Sequence, residues 1–501
     1  MKGKVYLVGA GPGEAELLTL KGLECLKRAD VVIYDRLLDD SLTHFAPSSA
    51  EKIYVGKSAH HHEREQKEIN DLLVEKARQG KMVVRLKGGD PFLFGRGGEE
   101  AEALSQKGIP FEVVPGVSSA TAVPAYAGIP LTHRRLSSSL AVVTGHEAKD
   151  KATSSIAWDK ISGAHTLVFL MGVSGLAHIV ERLLAAGKSP STPAALIMNG
   201  TTPNQRVLVA TLSDIVAKAQ EAEAKPPGVL VVGEVVRLRK QLQWFDGRPL
   251  FGKRILVSRA RAQSKALSQL LLERGALPIE VPVIKVKPQA DLSLLDQAIL
   301  RLEDYHWVIF TSVNGVEIFF KRLYELGFDA RRLSSAQIGA IGPGTASALK
   351  RMGVRADCLP KVYSSLGLLA ELKGRGIEGK RVLLPRASEA GKSLPSGLIS
   401  LGAQVFEIKL YETDADRVGL TKLRKVLPQV DVITFTSSST VKYLVSAVKG
   451  VPDRILIACI GPETALAASR CGLRVDIVAK EHTIPGLVRA IEEYFEGGEN
   501  G

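Results

Sequence analysis

The stretch Val83 to Glu100, VVRLKGGDPFLFGRGGEE, decides how the first half of the chain is read. Val83, Val84, Arg85, Leu86 and Lys87 form an apolar run with two cations that breaks into Gly88-Gly89-Asp90-Pro91, as a buried strand does where it ends in a loop. The glycines lack a Cβ and tolerate positive φ, so a ligand can approach the main chain closely. Asp90 then offers a carboxylate to a ligand amine or hydroxyl. Phe92, Leu93 and Phe94 supply an apolar wall, and Gly95-Arg96-Gly97-Gly98 a second, cationic loop before a helix expected from about Glu99. Pattern alone leaves a second reading open, a glycine-rich turn that only leads into that helix.

Strand and loop alternate on both sides of this stretch. Lys4 to Val8 is apolar and runs into Gly9-Ala10-Gly11-Pro12-Gly13. The loop does not meet the G-x-G-x-x-G spacing of a dinucleotide site, and Pro12 has no N–H to offer a phosphate. Leu17 to Ala29 has helical spacing. Val31 to Tyr34 is a strand ending in Asp35-Arg36, and Lys52 to Val55 one ending in Gly56-Lys57. An acid and a cation thus follow two strands, where α/β proteins gather their chemistry; two solvated loop charges is the plainer reading. His60, His61 and His62 are adjacent in a loop, a poor way to fix metal ligands on one face, so a solvated or substrate-touching loop is expected. Strands are expected again at Leu140, Thr166 to Met171, Ala194 to Met198 and Val229 to Val232, with exposed loops at Ala148 to Ser155 and Glu221 to Pro227.

The 501 residues allow about three or four domains. A hydrophobic content of 45% with 24% charged residues describes a well-packed globular protein. No apolar run approaches the roughly 18 residues that span a bilayer, and the N-terminus enters a strand without a signal-peptide core, so the expected location is the cytoplasm. Cys25, Cys358, Cys459 and Cys471 have no C-x-x-C spacing, which argues against a disulfide scaffold or a structural zinc. The net charge of +13 asks for an anionic partner. Its cations are dispersed and aromatics make up only 5%, so a polyanionic small molecule fits without any nucleic-acid platform.

The second half repeats itself. KRILVSRA from Lys253 and KRVLLPRA from Lys380 each lead, at the same offset, to Gly-Ala, at Gly275-Ala276 and Gly402-Ala403. HWVIFTSVNGV from His306 matches DVITFTSSSTV from Asp431, and IGAIGPGTASALKRMGV from Ile338 matches IACIGPETALAASRCGL from Ile457. This is a duplicated α/β unit, and taken alone the repeats suggest two tandem lobes. Each FTS and IGP-x-T segment reads strand, polar turn, helix, so helix N-termini would face a bound anion. Ser312, Asn314, Ser437 and Ser438 are also good helix caps, which alone would explain their type. Arg259 and Arg386 end the repeated strands as candidate carboxylate contacts.

VYLVGAGPG, VVIYDRLL, VGK, VVRLKGGDPFLFGRGGEE, VVPGVSSA and FLMG occur in that order, and residues 1–245 resemble uroporphyrinogen-III C-methyltransferases of the tetrapyrrole methylase family. The resemblance implies two α/β subdomains, about 1–135 and 136–245, holding S-adenosylmethionine between them. Carried over residue by residue, Pro12, Gly88, Gly89, Asp90, Leu93, Ser118, Ser119, Met171 and Gly200 would bind the cofactor. Ser118 and Ser119 stand where the family often has Thr-Ala; for Met171 a gap-filling core role is the alternative. Asp35 matches the family's proposed base and Lys57 its proposed acid, with no metal required. Arg36, Arg85 and Arg96 are candidate clamps for substrate carboxylates, and Arg85 could instead only flank its strand. The family is usually dimeric, which implies a homodimer through this half.

Residues 246–252 read as a linker, and residues 253–501 are similar to uroporphyrinogen-III synthases. That resemblance implies a bilobed fold in which the chain crosses between lobes, about 253–285 plus 412–501 forming one and 286–411 the other. It implies no cofactor. Tyr411 in LYET matches a tyrosine thought to assist loss of the substrate hydroxyl, with packing between lobes as the alternative. Ser312, Thr345, Ser437 and Thr464 would meet substrate. Together the halves imply a bifunctional enzyme that closes hydroxymethylbilane to uroporphyrinogen III and methylates it twice to precorrin-2, towards cobalamin or sirohaem. The alternative is an active methyltransferase whose second half only binds or senses a small molecule.

Overall fold

The computed structural model describes residues 3–35, 40–56, 66–145, 156–258, 261–448 and 450–498. The chain folds as two units, Met1–Gly252 and Lys253–Gly501. In the first unit β1 (Lys4–Gly9), β2 (Val31–Tyr34), β3 (Glu51–Tyr54), β4 (Met82–Lys87) and β5 (Phe111–Val114) form a parallel sheet in the order β3-β2-β4-β1-β5. Central strands covered on both faces read as continuous apolar runs, and Val5, Leu7, Val8, Val31, Val32, Ile33, Val83, Val84 and Leu86 are all buried. After β1 the chain crosses to one side of the sheet, and after β4 to the other. Their carboxyl ends, side by side, are therefore a topological switch point, where open α/β sheets leave a crevice. That crevice falls between the Gly9–Gly13 loop and the Gly88–Arg96 loop.

A second sheet completes this unit: β6 (Leu140–Thr144), β7 (Thr166–Leu170), β8 (Pro193–Met198), β9 (Arg206–Thr211) and β10 (Gly228–Val232), in the order β6-β7-β10-β8-β9. Because β10 runs antiparallel to both β7 and β8, those two share a direction, and Met171 and Asn199 leave the same edge. β9 escaped the sequence reading because it is half-exposed, with no continuous apolar run. The stretch 246–252 is not a free linker. Leu250 is buried, Phe251 packs on the ring of Phe245, and Asp246 pairs with Arg239.

The second unit holds two further sheets. Its strands are β11 (Arg254–Val257), β12 (Leu277–Glu280), β13 (Ile284–Pro288), β14 (Trp307–Phe310), β15 (Gln337–Ala340), β16 (Arg381–Ala387), β17 (Gln404–Ala415), β18 (Val432–Phe435), β19 (Leu456–Cys459) and β20 (Ile477–Val478). One sheet runs β12-β11-β18-β19-β20 and the other β13-β17-β16-β14-β15. The repeated segments therefore do not form tandem lobes: each lobe takes one copy of each repeat, one lobe being drawn from both ends of the unit and the other from the continuous stretch between them. The two crossings lie side by side, with Asp416 N–H donating to Val283 O at 3.1 Å and Gly419 packed on Pro282 so tightly that a Cβ would come 1.8 Å from its carbonyl oxygen.

Candidate functional site: a glycine cradle beside a buried ion network, and a hydroxyl pair in the second unit

Three loops of the first sheet meet backbone to backbone. Gly89 N–H donates to Gly11 O at 2.8 Å, Gly11 N–H returns to Gly89 O at 3.3 Å, and Ala10 N–H reaches Lys87 O at 2.8 Å. A Cβ on Gly9 would stand 2.5 Å from Gly116 Cα, so side chains are excluded where these loops touch. Asp90 braces the arrangement. Its Oδ2 accepts from Gly116 N–H at 2.9 Å and its Oδ1 from Phe92 N–H at 2.8 Å, so it shapes the loop. Pro12 sits at the tip of the first loop. Ser118 caps the helix Ser119–Tyr126 by accepting from Ala120 N–H, and Ser119 opens that helix, with its N–H groups turned to the same crevice end of the sheet.

The second sheet closes on this cradle through Thr201, whose hydroxyl accepts from Glu14 N–H at 3.4 Å. Tyr126 hydroxyl donates to the Glu14 carboxylate, and burial together with that bond pushes the phenol well above its ordinary range. Gly200 packs on Val123, leaving no room for a side chain. Of the six described non-glycine residues with left-handed backbone, five lie here: Phe94, Arg96, Met171, Asn199 and Thr201, at φ 54°, 59°, 56°, 48° and 65°. Strained backbone gathers where a fold holds ligand-facing geometry. Met171 is half exposed, which removes the gap-filling alternative; Leu93 and Phe92 are exposed as well. Arg96 is exposed and paired with Glu99, as a clamp reachable from solvent would be.

Beneath the cradle lies an ion network that the sequence reading missed. Arg85 Nη2 lies 3.2 Å from Asp35 Oδ2, while its Nε donates to Glu100 Oε1 at 3.1 Å. Lys87 Nζ reaches the same Glu100 oxygen at 2.8 Å. Arg85, Lys87 and Glu100 are buried, which corrects the expectation of Arg85 as a clamp for substrate. Burial, and then the Arg85 charge, hold the Lys87 ammonium below its ordinary range, with Glu100 opposing them. A signal was present: Arg85 and Lys87 are two apart in a strand, hence on one face, and two cations on one face of a buried strand require an anion. Asp35 Oδ1 is buried with no hydrogen-bond partner among the described residues. Arg36, Lys57 and His60 to His62 lie outside the described residues, as does Arg259.

In the second unit Ser312 caps the helix Val313–Glu325, accepting from Gly315 N–H at 3.0 Å, and its hydroxyl lies 2.9 Å from that of Tyr411. Tyr411 is in β17 and packs into the core of its own lobe, so it is not the inter-lobe residue of the alternative reading. Ser437 caps the equivalent helix, Ser438–Ala447. Asn314 and Ser438 lie inside the first turns of these helices, not at the N-cap positions. Thr345 and Thr464 are buried third residues of the helices Pro343–Arg351 and Pro462–Arg470. Arg386 is buried too. Its Nη2 donates to Gly391 O at 2.6 Å, whereas Nε and Nη1 find no hydrogen-bond partner among the described residues, although Glu407 Oε1 lies 3.5 Å from Nε.

Among the described residues no helix is long and apolar enough to cross a membrane. The tetrapyrrole (corrin/porphyrin) methylase profile matches residues 4–216, and that of uroporphyrinogen-III synthase HemD matches 265–489. A porphyrin biosynthesis protein HemD of Ruminiclostridium josui is 43% identical over 499 residues, 99% of each chain. A uroporphyrinogen-III C-methyltransferase of Methanocaldococcus jannaschii is 56% identical over 239 residues, 48% of this chain and 98% of its own. The native crystal structure of a uroporphyrin III C-methyltransferase from Thermus thermophilus is 42% identical, covers 47% of this chain and 94% of its own, and superposes with a TM-score of 0.41. The full-length match to the first of these relatives and the two adjoining profiles give one conclusion: the chain belongs to the family in which a tetrapyrrole methylase and a uroporphyrinogen-III synthase are fused in one polypeptide.

Proposed function

We propose that the second unit closes hydroxymethylbilane to uroporphyrinogen III and that the first methylates that product twice to precorrin-2, on the route to sirohaem or cobalamin. The observation that carries the reading is the convergence, at one switch point, of the Gly9-Gly89-Gly116 cradle with the Arg85-bound carboxylate of Asp35. S-adenosylmethionine held there would supply a methyl group on an electrophilic sulfonium. The site fits it: Gly9 and Gly116 let the loops close on one another, Gly89 leaves open space where a side chain would meet only Ser119 N at 3.7 Å, and Leu93 and Met171 offer exposed apolar surface for its adenosine. Pro12, Gly88, Gly89, Asp90, Ser118, Ser119 and Gly200 would complete the contacts.

The tetrapyrrole brings its own nucleophile, an electron-rich pyrrole carbon, so the protein's task is to hold the partners in line. Positive charge developing on the pyrrole is met by the Asp35 carboxylate, which Arg85 keeps in place and which then takes the proton. Lys57 serves as the acid, and Arg36 and Arg96 hold substrate carboxylates. In the second unit the Tyr411 hydroxyl, paired with Ser312, assists departure of the substrate hydroxyl. Helix N-termini at Ser312, Thr345, Ser437 and Thr464 receive carboxylates. Two copies pair through the first unit, and no cofactor is needed by the second.

Anaerobic incubation of the full chain with freshly made hydroxymethylbilane and S-adenosylmethionine tests all of this, with mass and isomer analysis of the tetrapyrrole. A dimethylated type III product is expected. Methylated type I ring alone would remove the synthase assignment, and unmethylated type III the transferase one.

A further inference from the structure

We infer that Glu100 is a positioning residue for methyl transfer, acting on Asp35 through Arg85. The inference rests on the reading of Asp35 as proton acceptor and adds a residue to it. Glu100 lies in the first turn of the helix Gly97–Gln106, where the helix dipole favours an anion, and is fully buried. One oxygen, Oε1, takes three donors: Arg85 Nε at 3.1 Å, Lys87 Nζ at 2.8 Å and Gln66 Nε2 at 3.3 Å. Arg85 does not spend its fork on Glu100, as a purely structural bidentate pair would. It divides the fork, Nε to Glu100 and Nη2 to Asp35 at 3.2 Å, with Nη1 on the carbonyls of Ile33 and Leu86.

The guanidinium is rigid and planar, so fixing Nε at one end fixes Nη2 at the other, and with it the Asp35 oxygen. Glu100 also supplies the charge that lets Arg85 and Lys87 share one buried face. Without it their mutual repulsion acts on the group that orients Asp35. The helix bearing Glu100 follows directly on the Gly88–Arg96 loop, so ligand cradle and proton acceptor are tied by one short segment.

The test compares Glu100→Gln, Asp35→Asn and the double variant in the full chain, by single-turnover methyl transfer to uroporphyrinogen III and by calorimetric binding of S-adenosylhomocysteine. Glu100→Gln is expected to lower the rate on the order of 10- to 100-fold with KM and cofactor affinity within about twofold. In the Asp35→Asn background it should add less than about a twofold loss, because the group it positions is already gone. Multiplying losses, a raised KM with an unchanged rate, or turnover equal to the unaltered chain would each overturn the proposal. If Glu100→Gln does not fold, the charge-balanced Glu100→Gln/Lys87→Gln variant takes its place in the same cycle, with the same expected and contrary outcomes. Failure of the unaltered chain to methylate is a distinct result; it would sink the transferase reading and this inference with it.

Discussion

A Cβ on Gly116 would lie 2.3 Å from the carbonyl oxygen of Gly89, whereas a Cβ on Gly89 would meet nothing nearer than Ser119 N at 3.7 Å. The two glycines therefore serve different ends. Gly116 is small so that the fold can close, and Gly89 is small where space is open. Gly116→Ala should cost about 1–3 kcal/mol by overpacking and take cofactor binding with it. Gly89→Ala carries only the strain of a left-handed alanine at φ 66°, about 1–2 kcal/mol, but puts a methyl group into the ligand's approach. Thermal unfolding and titration with S-adenosylhomocysteine separate these effects. Unchanged affinity in Gly89→Ala would mean that the open side of this loop does not face the ligand.

Asp35 is held by Arg85 at one oxygen and leaves the other without a hydrogen-bond partner among the described residues, which suits a group that must accept a proton. Asp35→Asn keeps the shape and removes the basicity. We expect methyl transfer to fall by about 10²–10⁴-fold, the usual worth of a positioned base, with S-adenosylhomocysteine affinity unaltered. A variant with full turnover would exclude Asp35 from the proton transfer.

The glycine loops of the candidate site were legible in the sequence, because glycine spacing at strand ends is a local signal. Gly88-Gly89-Asp90 and the FTS and IGP-x-T turns could be placed without any structure. The network around Glu100 was not, since it joins residues 35, 66, 85, 87 and 100, and only the paired cations of β4 hinted at it. The lobe architecture was legible only by resemblance. Repeats show that two copies exist, but not which copies share a sheet, because strand pairing between β11 and β18 spans the whole intervening lobe. Residues 246–252 combine both signals: Asp246-Gly247-Arg248-Pro249 has the composition of a linker, while Leu250 is buried and Phe251 packs on Phe245.

The Ser312 and Tyr411 hydroxyls, 2.9 Å apart, make a pair that is cheap to perturb structurally. Tyr411→Phe keeps the ring in its core and loses one hydrogen bond, a change within about 1 kcal/mol. Ser312→Ala loses a helix cap as well, typically about 1 kcal/mol. If the phenol assists departure of the substrate hydroxyl, Tyr411→Phe should slow cyclisation well beyond what its stability change explains, and the type I ring formed spontaneously should gain share. An unaltered rate and isomer ratio would leave Tyr411 as packing alone.

Arg386 should destabilise the lobe that contains it. Its guanidinium is buried with Nε and Nη1 unsatisfied among the described residues, and burial lowers its affinity for the proton. Replacing a whole buried ion pair by apolar side chains is often neutral or stabilising by about 1–4 kcal/mol, and the Glu407 carboxylate that Arg386→Met leaves behind is more than a third exposed, so it is not stranded in the core. Arg386→Met is therefore expected to increase hydrogen-exchange protection across β16 and β17. A gain in protection accompanied by slower cyclisation would mark a charge kept for substrate at a cost in stability, consistent with the β-bulge that shifts the register between Arg386 and Ala387. Reduced protection would instead make Arg386 a structural cation, with the Gly391 carbonyl and Glu407 sufficient to hold it.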